Sequence, residues 1–415
     1  MNVLYGNKTI AVNTHHPSIE IKYPEAASKL ADWESVFNST LHAVSEKASA
    51  RKPKKICVIV EDRTRINPQY PYFLSRLYET LHSSLPDTAI YLLIAYGTHE
   101  KHSKEDNIRC YGAENLSKYI LVDHDSRNPK NLKTIGTLKS GLPLKINLTA
   151  AESGLVISFG TVAPHAFAGF TGGRKIILPG ISSYENICSN HSKVKQENVG
   201  LGMLDKNPIH AEMQEAAGLF SPDFCYQTVF NSRREIAGLF FGKLDEAFHE
   251  AVAFCKTINT GFIGETPDLV LASCGGEPFD SSIYFAQRTI TLACQTVRQG
   301  GTAVIFGKFP NGIGDKHYEK WLSKPVDEVL NLPESAIDVM VHSAYLTAKN
   351  RARCKLYFFT DLKEEQAAGA GLNLINTKEK LESLLSSIPA GNKMLFIPNG
   401  SSLLLSRGGT QIFPD

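Results

Sequence analysis

The chain has 415 residues, of which 42% are hydrophobic and 21% charged, and a formal net charge of +2. Its length exceeds a single ordinary core and predicts two domains. The near-balanced charge leaves no basic field to recruit nucleic acid or an anionic membrane.

The N-terminal stretch carries Lys8, His15, His16, Glu20 and Lys22 rather than an apolar leader, and no apolar run of about 18 residues occurs. A cytoplasmic protein is expected. The eight cysteines are scattered with no CxxC pair, which argues against a disulfide framework and a zinc ribbon.

In chain order, strands are expected at Ile56–Val60, Ala89–Ala95, Tyr119–Val122 and Leu155–Phe159, with helices at Tyr72–Leu85 and Lys104–Tyr111. Short strand candidates, Leu132–Ile135 and Leu144–Ile146, fall between the last two. Apolar strands separated by helices predict a mostly parallel, Rossmann-like sheet covered on both faces. A second α/β series starts near Pro267. It comprises strand Leu269–Ser273, helix Ser282–Arg298, strand Thr302–Phe306, a helical stretch Lys316–Leu330 split at Pro325, strands Ile337–Val341 and Leu356–Thr360, helix Lys378–Ser387 and strand Met394–Ile397. The weakly patterned Gly261–Glu265 marks the break. The expected division is 1–262 and 263–391, with 392–415 returning to the first domain and the active site in the cleft between the two.

Each main strand of the first series runs into a polar cluster: Glu61-Asp62-Arg63-Thr64-Arg65, Gly97-Thr98-His99, Asp123-His124-Asp125, and Gly160 followed by Pro164-His165. In a parallel sheet these C-terminal ends share one edge, where ligands bind. Strands must end in something, so such clusters also arise by chance. The densest segment runs from Gly160 to His191. Gly169, Gly172 and Gly173 permit tight turns or close approach to a ligand. Lys175, beside Arg174, suits either a phosphate clamp or an activated amine. GxxxxGK[ST] is absent, so this is no P-loop. Ser182 and Glu185 are spaced as a capping box, which puts His191 about two turns into a helix.

Taken in order, these motifs resemble the nickel-pincer-nucleotide-dependent lactate racemase family. The resemblance runs from Leu4-Tyr5-Gly6 through Asp62-Arg63-Thr64-Arg65, Gly97-Thr98-His99, His124-Asp125, Pro164-His165, Gly169-Phe170-Thr171-Gly172-Gly173-Arg174-Lys175, Pro179-Gly180 and His191 to Cys274-Gly275-Gly276 and Tyr284. It implies an isomerase that racemises a 2-hydroxy acid by reversible hydride transfer to a nickel-pincer nucleotide. Lys175 would carry that cofactor covalently, and His191 would bind its nickel. His99 and His165 would be the acid/base pair, one on each face of the substrate. Arg65 would hold the substrate carboxylate, aided by Tyr284 and Arg288. Asp62, Thr64, Gly172 and Gly173 would support the cofactor. Enzymes that synthesise the cofactor are implied partners.

Two histidines suit the chemistry, because inversion needs a proton acceptor on either face and imidazole works near neutral pH. The sequence departs from the family at Ile66, which replaces a proline, at Phe285, which replaces a glutamine, and at Arg288, which replaces a lysine. A lost amide and an added ring favour a 2-hydroxy acid other than lactate, larger or more apolar. Alternatively, Phe285 packs in the core and Gln287 takes the polar role. Asp280 reads as a helix N-cap, and His342, among other histidines without a motif, as a surface or satisfied residue. Competing readings are a zinc-type hydrolase or lyase using His99, His165 and His191, a nicotinamide dehydrogenase, weakened by the lack of GxGxxG, and a non-catalytic nucleotide-binding homologue.

Overall fold

The structure, a computed structural model, describes residues 1–23, 28–65, 67–408 and the backbone of 410–411. Ile66, the first departure noted above, lies outside the described residues. Two six-stranded sheets dominate.

The first sheet has the strand order Ile236–Gly242, Phe224–Phe230, Leu155–Thr161, Lys55–Glu61, Ala89–Ala95, Ile120–Asp123. Its strands are parallel except Ile236–Gly242, an antiparallel edge. The apolar run Ile56–Val60 shows why both faces must be covered. Ile56, Val58 and Val60 enter one hydrophobic cluster, with the helices Trp33–Arg51 and Tyr70–Ser84. Cys57 and Ile59 point the other way, into a second cluster with the helices Tyr184–Ser192 and Pro208–Leu219. A two-residue side-chain period with no polar face is the pattern of a strand sandwiched between helices. The two short strand candidates form an antiparallel hairpin, Leu132–Thr137 with Pro143–Asn147.

The second sheet is wholly parallel, in the order Asn373–Ile375, Lys355–Phe359, Thr302–Phe306, Leu269–Ser273, Met394–Ile397, Ser18–Ile19. The expectation that the last strand returns to the first domain is corrected here: Met394–Ile397 pairs with Leu269–Ser273 and with the N-terminal Ser18–Ile19. Only the following strand, Leu404–Arg407, reaches back, to Thr260–Ile263 in the supposed break. The N-terminal hairpin Asn2–Tyr5/Lys8–Ala11 also packs on the second sheet through Val3 and Tyr5. Asp280 is not a helix cap. Its buried carboxylate accepts the backbone N–H groups of Gly6 at 2.6 Å and Lys308 at 3.1 Å, tying that hairpin down.

Two expected elements differ in ways that matter for the site. Helix Ser282–Arg298 begins only at Gln287, so Tyr284 and Phe285 lie on the loop before it. Ile337–Val341 is not a strand. Ile337 and Val339 pack into the first sheet's hydrophobic cluster, and a helix, Val341–Arg353, starts immediately afterwards. The alternating apolar run reflects a buried loop rather than a ladder.

Among the described residues, no helix is long and apolar enough to cross a membrane.

Candidate active site

One cavity gathers Thr64, Arg65, His99, His165, Lys175 and His191 from the first sheet's side with Tyr284, Arg288 and His342 from the second. Three of the four polar clusters expected at strand ends meet there. The fourth does not. His124 is buried, with Nε2 2.9 Å from the Ser182 carbonyl and Nδ1 3.3 Å from Asn147 Nδ2, so it braces the loop that precedes the His191 helix.

Strand Lys55–Glu61 delivers Glu61 and Asp62 to the cavity edge, and the turn Arg63–Arg65 follows. Asp62 Oδ2 lies 2.6 Å from His99 Nδ1, and Oδ1 accepts the Thr64 backbone N–H at 2.9 Å and its hydroxyl at 2.5 Å. Burial pushes the Asp62 carboxyl upward, but the His99 ring, Arg65 and Thr64 outweigh that and hold it below the usual carboxylate range. An ionised Asp62 fixes the proton on His99 Nδ1 and leaves Nε2 as the basic nitrogen. Asp62 therefore acts on His99. Glu61, which the sequence reading left without a role, also lines the cavity. Its Oε2 accepts the Thr161 N–H at 2.8 Å, and Oε1 sits 3.9 Å from Arg65 Nε. Burial raises it to about 7 against the pull of Arg65 and Thr161.

Lys175 stands on the short turn Gly173–Ile176 and is 6% exposed. No carboxylate pairs with it among the described residues. Its Nζ lies 3.4 Å from His165 Nε2. Burial, then Arg65, Arg174 and Arg288, drive its pKa well down, which favours the neutral amine and so a nucleophile over a phosphate clamp. Arg174 is structural: fully buried, it donates to the carbonyls of Ala168 at 2.6 Å and Phe170 at 2.8 Å and to His210 at 2.9 Å. The Gly97 N–H bonds the Gly180 carbonyl at 2.9 Å, docking the His99 turn onto the lysine loop. Gly172 and Gly173 do not line the cavity. A Cβ at Gly172 would meet Gln227 Oε1 at 2.5 Å, and one at Gly173 the Phe248 ring at 2.5 Å. These glycines let the loop pack against protein.

His191 is on the helix Tyr184–Ser192, capped by Ser183 rather than by the expected Ser182, whose hydroxyl instead bonds the Ile177 carbonyl. His191 is buried, and its Nδ1 lacks a close hydrogen-bond partner among the described residues. Desolvation, then His342, Lys175 and His99, depress its basicity well below normal. His165 is depressed likewise by burial, Lys175, Arg288 and Arg65. Phe167 links them, with its ring centroid 4.5 Å from that of His165 and 5.1 Å from that of His191.

His342 was missed by the sequence reading. It is 2% exposed, with its ring centroid 4.8 Å from that of His191. It sits at the second residue of the helix that follows the loop read as a strand, so no motif marked it; only recognising that helix would have placed it. Phe285 is 39% exposed at the cavity and is not a core residue. The Gln287 amide nitrogen is engaged by Tyr318 and by Thr347 at 2.9 Å, while its Oε1 is unpaired. Burial lowers Arg288 to about 10 and raises Tyr284 to about 12, so both keep their protons at neutral pH. Among the described residues, no three His, Cys, Asp or Glu side chains are arranged to hold a metal, so His99, His165 and His191 do not form a zinc triad.

Residues 5–202 match the family described as "Lactate racemase N-terminal domain". The chain is 33% identical over 287 residues to a lactate racemase of Thermoanaerobacterium thermosaccharolyticum, covering 68% of this chain and 67% of that protein. It is 29% identical over 394 residues to the lactate racemase of Lactiplantibacillus plantarum, covering 91% and 92%. The structure of the lactate racemase apoprotein from T. thermosaccharolyticum superposes with a TM-score of 0.87 at 26% identity, over 98% of this chain and 99% of that one. A Thermotoga maritima protein shares the fold at TM-score 0.70 and 18% identity, over 90% and 98%. Identity at this level, together with a fold shared over nearly its whole length, means that the chain belongs to the lactate racemase family of isomerases.

Proposed function

We propose that this protein racemises a 2-hydroxy acid, with His99 and His165 as the acid/base pair. The carrying observation is that both imidazoles, the buried Lys175 amine and two guanidinium groups line one cavity. The Cα–H beside a carboxylate is a very weak acid, so inversion by simple deprotonation is unattractive. The site fits the nickel-pincer nucleotide of the family. Among the described residues, Lys175 is a buried amine without an ion-pair partner, suited to a covalent bond to the cofactor, and His191 is a buried imidazole whose Nδ1 lacks a close partner, suited to nickel. When bound, that group supplies a hydride acceptor.

The chain's own residues do the rest. Arg65 and Arg288 bind the substrate carboxylate, the former in a planar fork that fixes the plane of the acid. Tyr284 donates a hydrogen bond as a neutral phenol. His99, oriented by Asp62, takes the hydroxyl proton of one enantiomer, and His165 serves the other face. The bulk of Phe285 favours a substrate larger than lactate. Residues from the second sheet's side, Tyr284, Arg288 and His342, wall the cavity and limit the access of water. Enzymes that make the cofactor are the implied partners.

The test is chiral chromatography of a panel of 2-hydroxy acids incubated with protein produced alongside cofactor-synthesis enzymes. Exchange between enantiomers that disappears in both His99→Ala and His165→Ala supports the assignment. Zinc-dependent hydrolysis, or ligand binding with no turnover, would support a hydrolase or a non-catalytic homologue instead.

A further inference from the structure

A second cavity adjoins the first and shares Thr64, Arg65 and Arg288 with it. Its far side is formed by Phe230 and Arg234, at the turn before the antiparallel edge strand, facing Phe279 and Ser401. The racemase reading uses none of these four residues.

The charges around it do not balance. Arg288 donates one hydrogen bond, to the Ser401 carbonyl at 3.3 Å, and no carboxylate pairs with it among the described residues. Among the described residues, the nearest carboxylate to Arg65 is Glu61, 3.9 Å from Nε, and burial raises it to about 7, which weakens the pair. Asp62 is committed to His99 and Thr64. Arg234 stands on a turn with φ of 61°. Its guanidinium carbon lies 5.4 Å from the Phe279 ring centroid, so an aromatic face rather than a carboxylate holds it at the cavity. One substrate carboxylate answers at most two of the three guanidinium groups. Arg65 and Arg288, which are only partly exposed, are kept where an anion compensates them, whereas Arg234, exposed at the rim over Phe279, is left for a second anionic group. The rings of Phe230 and Phe279 add apolar walls suited to methylene groups.

We propose that the second cavity binds a distal acid group of the substrate, so that the preferred substrate is a 2-hydroxy diacid with its hydroxyl-bearing end among the histidines. This rests on the racemase reading and names its substrate class. Arg234 is then a specificity residue: it binds the far carboxylate and touches no reacting atom.

The test is calorimetric binding of glutarate and of pentanoate to the full-length protein. Both lack the hydroxyl and cannot react, and they have equal chain length. Glutarate is expected to bind at least about ten-fold more tightly, as one additional charge-assisted contact provides. Arg234→Ala should bring the two within about two-fold, and Arg234→Lys should restore part of the gap, because it keeps the charge but loses the fork. Arg234 is an exposed turn residue, so both variants keep the fold. Equal affinities, or a gap that survives Arg234→Ala, overturn the proposal. Displacement of glutarate by inorganic phosphate at lower concentration than by succinate also overturns it, in favour of a phosphoryl group. The racemase reading fails separately, if no 2-hydroxy acid is racemised while the glutarate preference and its dependence on Arg234 persist.

Discussion

Asp62 Oδ2 lies 2.6 Å from His99 Nδ1, while the other oxygen of the same carboxylate is held by the Thr64 N–H and hydroxyl. The carboxylate is thus oriented on one side and orients the imidazole on the other. Asp62→Asn keeps the shape but removes the charge that selects the His99 tautomer. A fall in kcat of about 10²–10⁴, with KM changed less than about three-fold, is expected from loss of such an orienting carboxylate. Initial racemisation rates of the cofactor-loaded variant measure it. An unaltered kcat would remove His99 from the base role.

If Lys175 carries the cofactor and His191 its nickel, as proposed, the two have separable duties. Lys175→Ala should show no mass increment when produced with the cofactor-synthesis enzymes. His191→Ala should keep the increment and lose nickel, because the covalent bond and the metal bond use different side chains. Intact-mass spectrometry and elemental analysis of the same samples check both. An unmodified Lys175 in the otherwise native chain under those conditions would count against the cofactor assignment.

Much of this site was legible in the sequence, for a physical reason. The first sheet's buried strands are continuous apolar runs, and each run ends where the chain turns polar at the ligand-binding edge. Ala89–Ala95 matched residue for residue, and His99 followed from it. Legibility failed where local pattern and tertiary role diverge. Ile337 and Val339 alternate like strand residues because a buried loop inserts them into a neighbouring core, and that error hid His342. Gly172 and Gly173 looked like a ligand cradle, but the atoms they make room for are those of Gln227 and Phe248, remote in sequence. Glu61 was named in its strand-end cluster but given no role, because its significance lies in burial beside Arg65, which no spacing encodes.

His124 gives the fold a pH limit. It is a buried base whose pKa is lowered to about 4, chiefly by desolvation, with the Ser182 carbonyl opposing. The unfolded chain protonates this residue from about pH 6.5 downward, whereas the folded chain resists until about 4. The unfolded state therefore binds more protons across that window, and stability falls as pH falls through it. The loss from this group saturates on the order of 3 kcal/mol. His124→Gln should flatten the decline of the apoprotein's denaturation midpoint between pH 6.5 and 4. An unchanged slope would show that His124 is not responsible.

On the proposed reading, Phe285 governs how well lactate fits. It lies beside Tyr284, with ring centroids 5.6 Å apart, and 39% of it remains exposed at the cavity. An exposed ring contributes little to the core, so Phe285→Gln should leave the melting temperature within about two degrees, as surface changes away from packed contacts do. The same change removes the apolar ring face and adds an amide, which costs a larger substrate its methylene contact and gives a small one a polar partner. A pocket change of one such group shifts discrimination by about 10- to 200-fold. The ratio of kcat/KM for lactate to that for a larger 2-hydroxy acid should therefore rise by at least about ten-fold in Phe285→Gln. Competition between the two acids in one reaction, followed by chiral chromatography, measures the ratio directly. A ratio that stays fixed would mean that Phe285 does not face the reacting substrate and that the size preference resides elsewhere in the cavity.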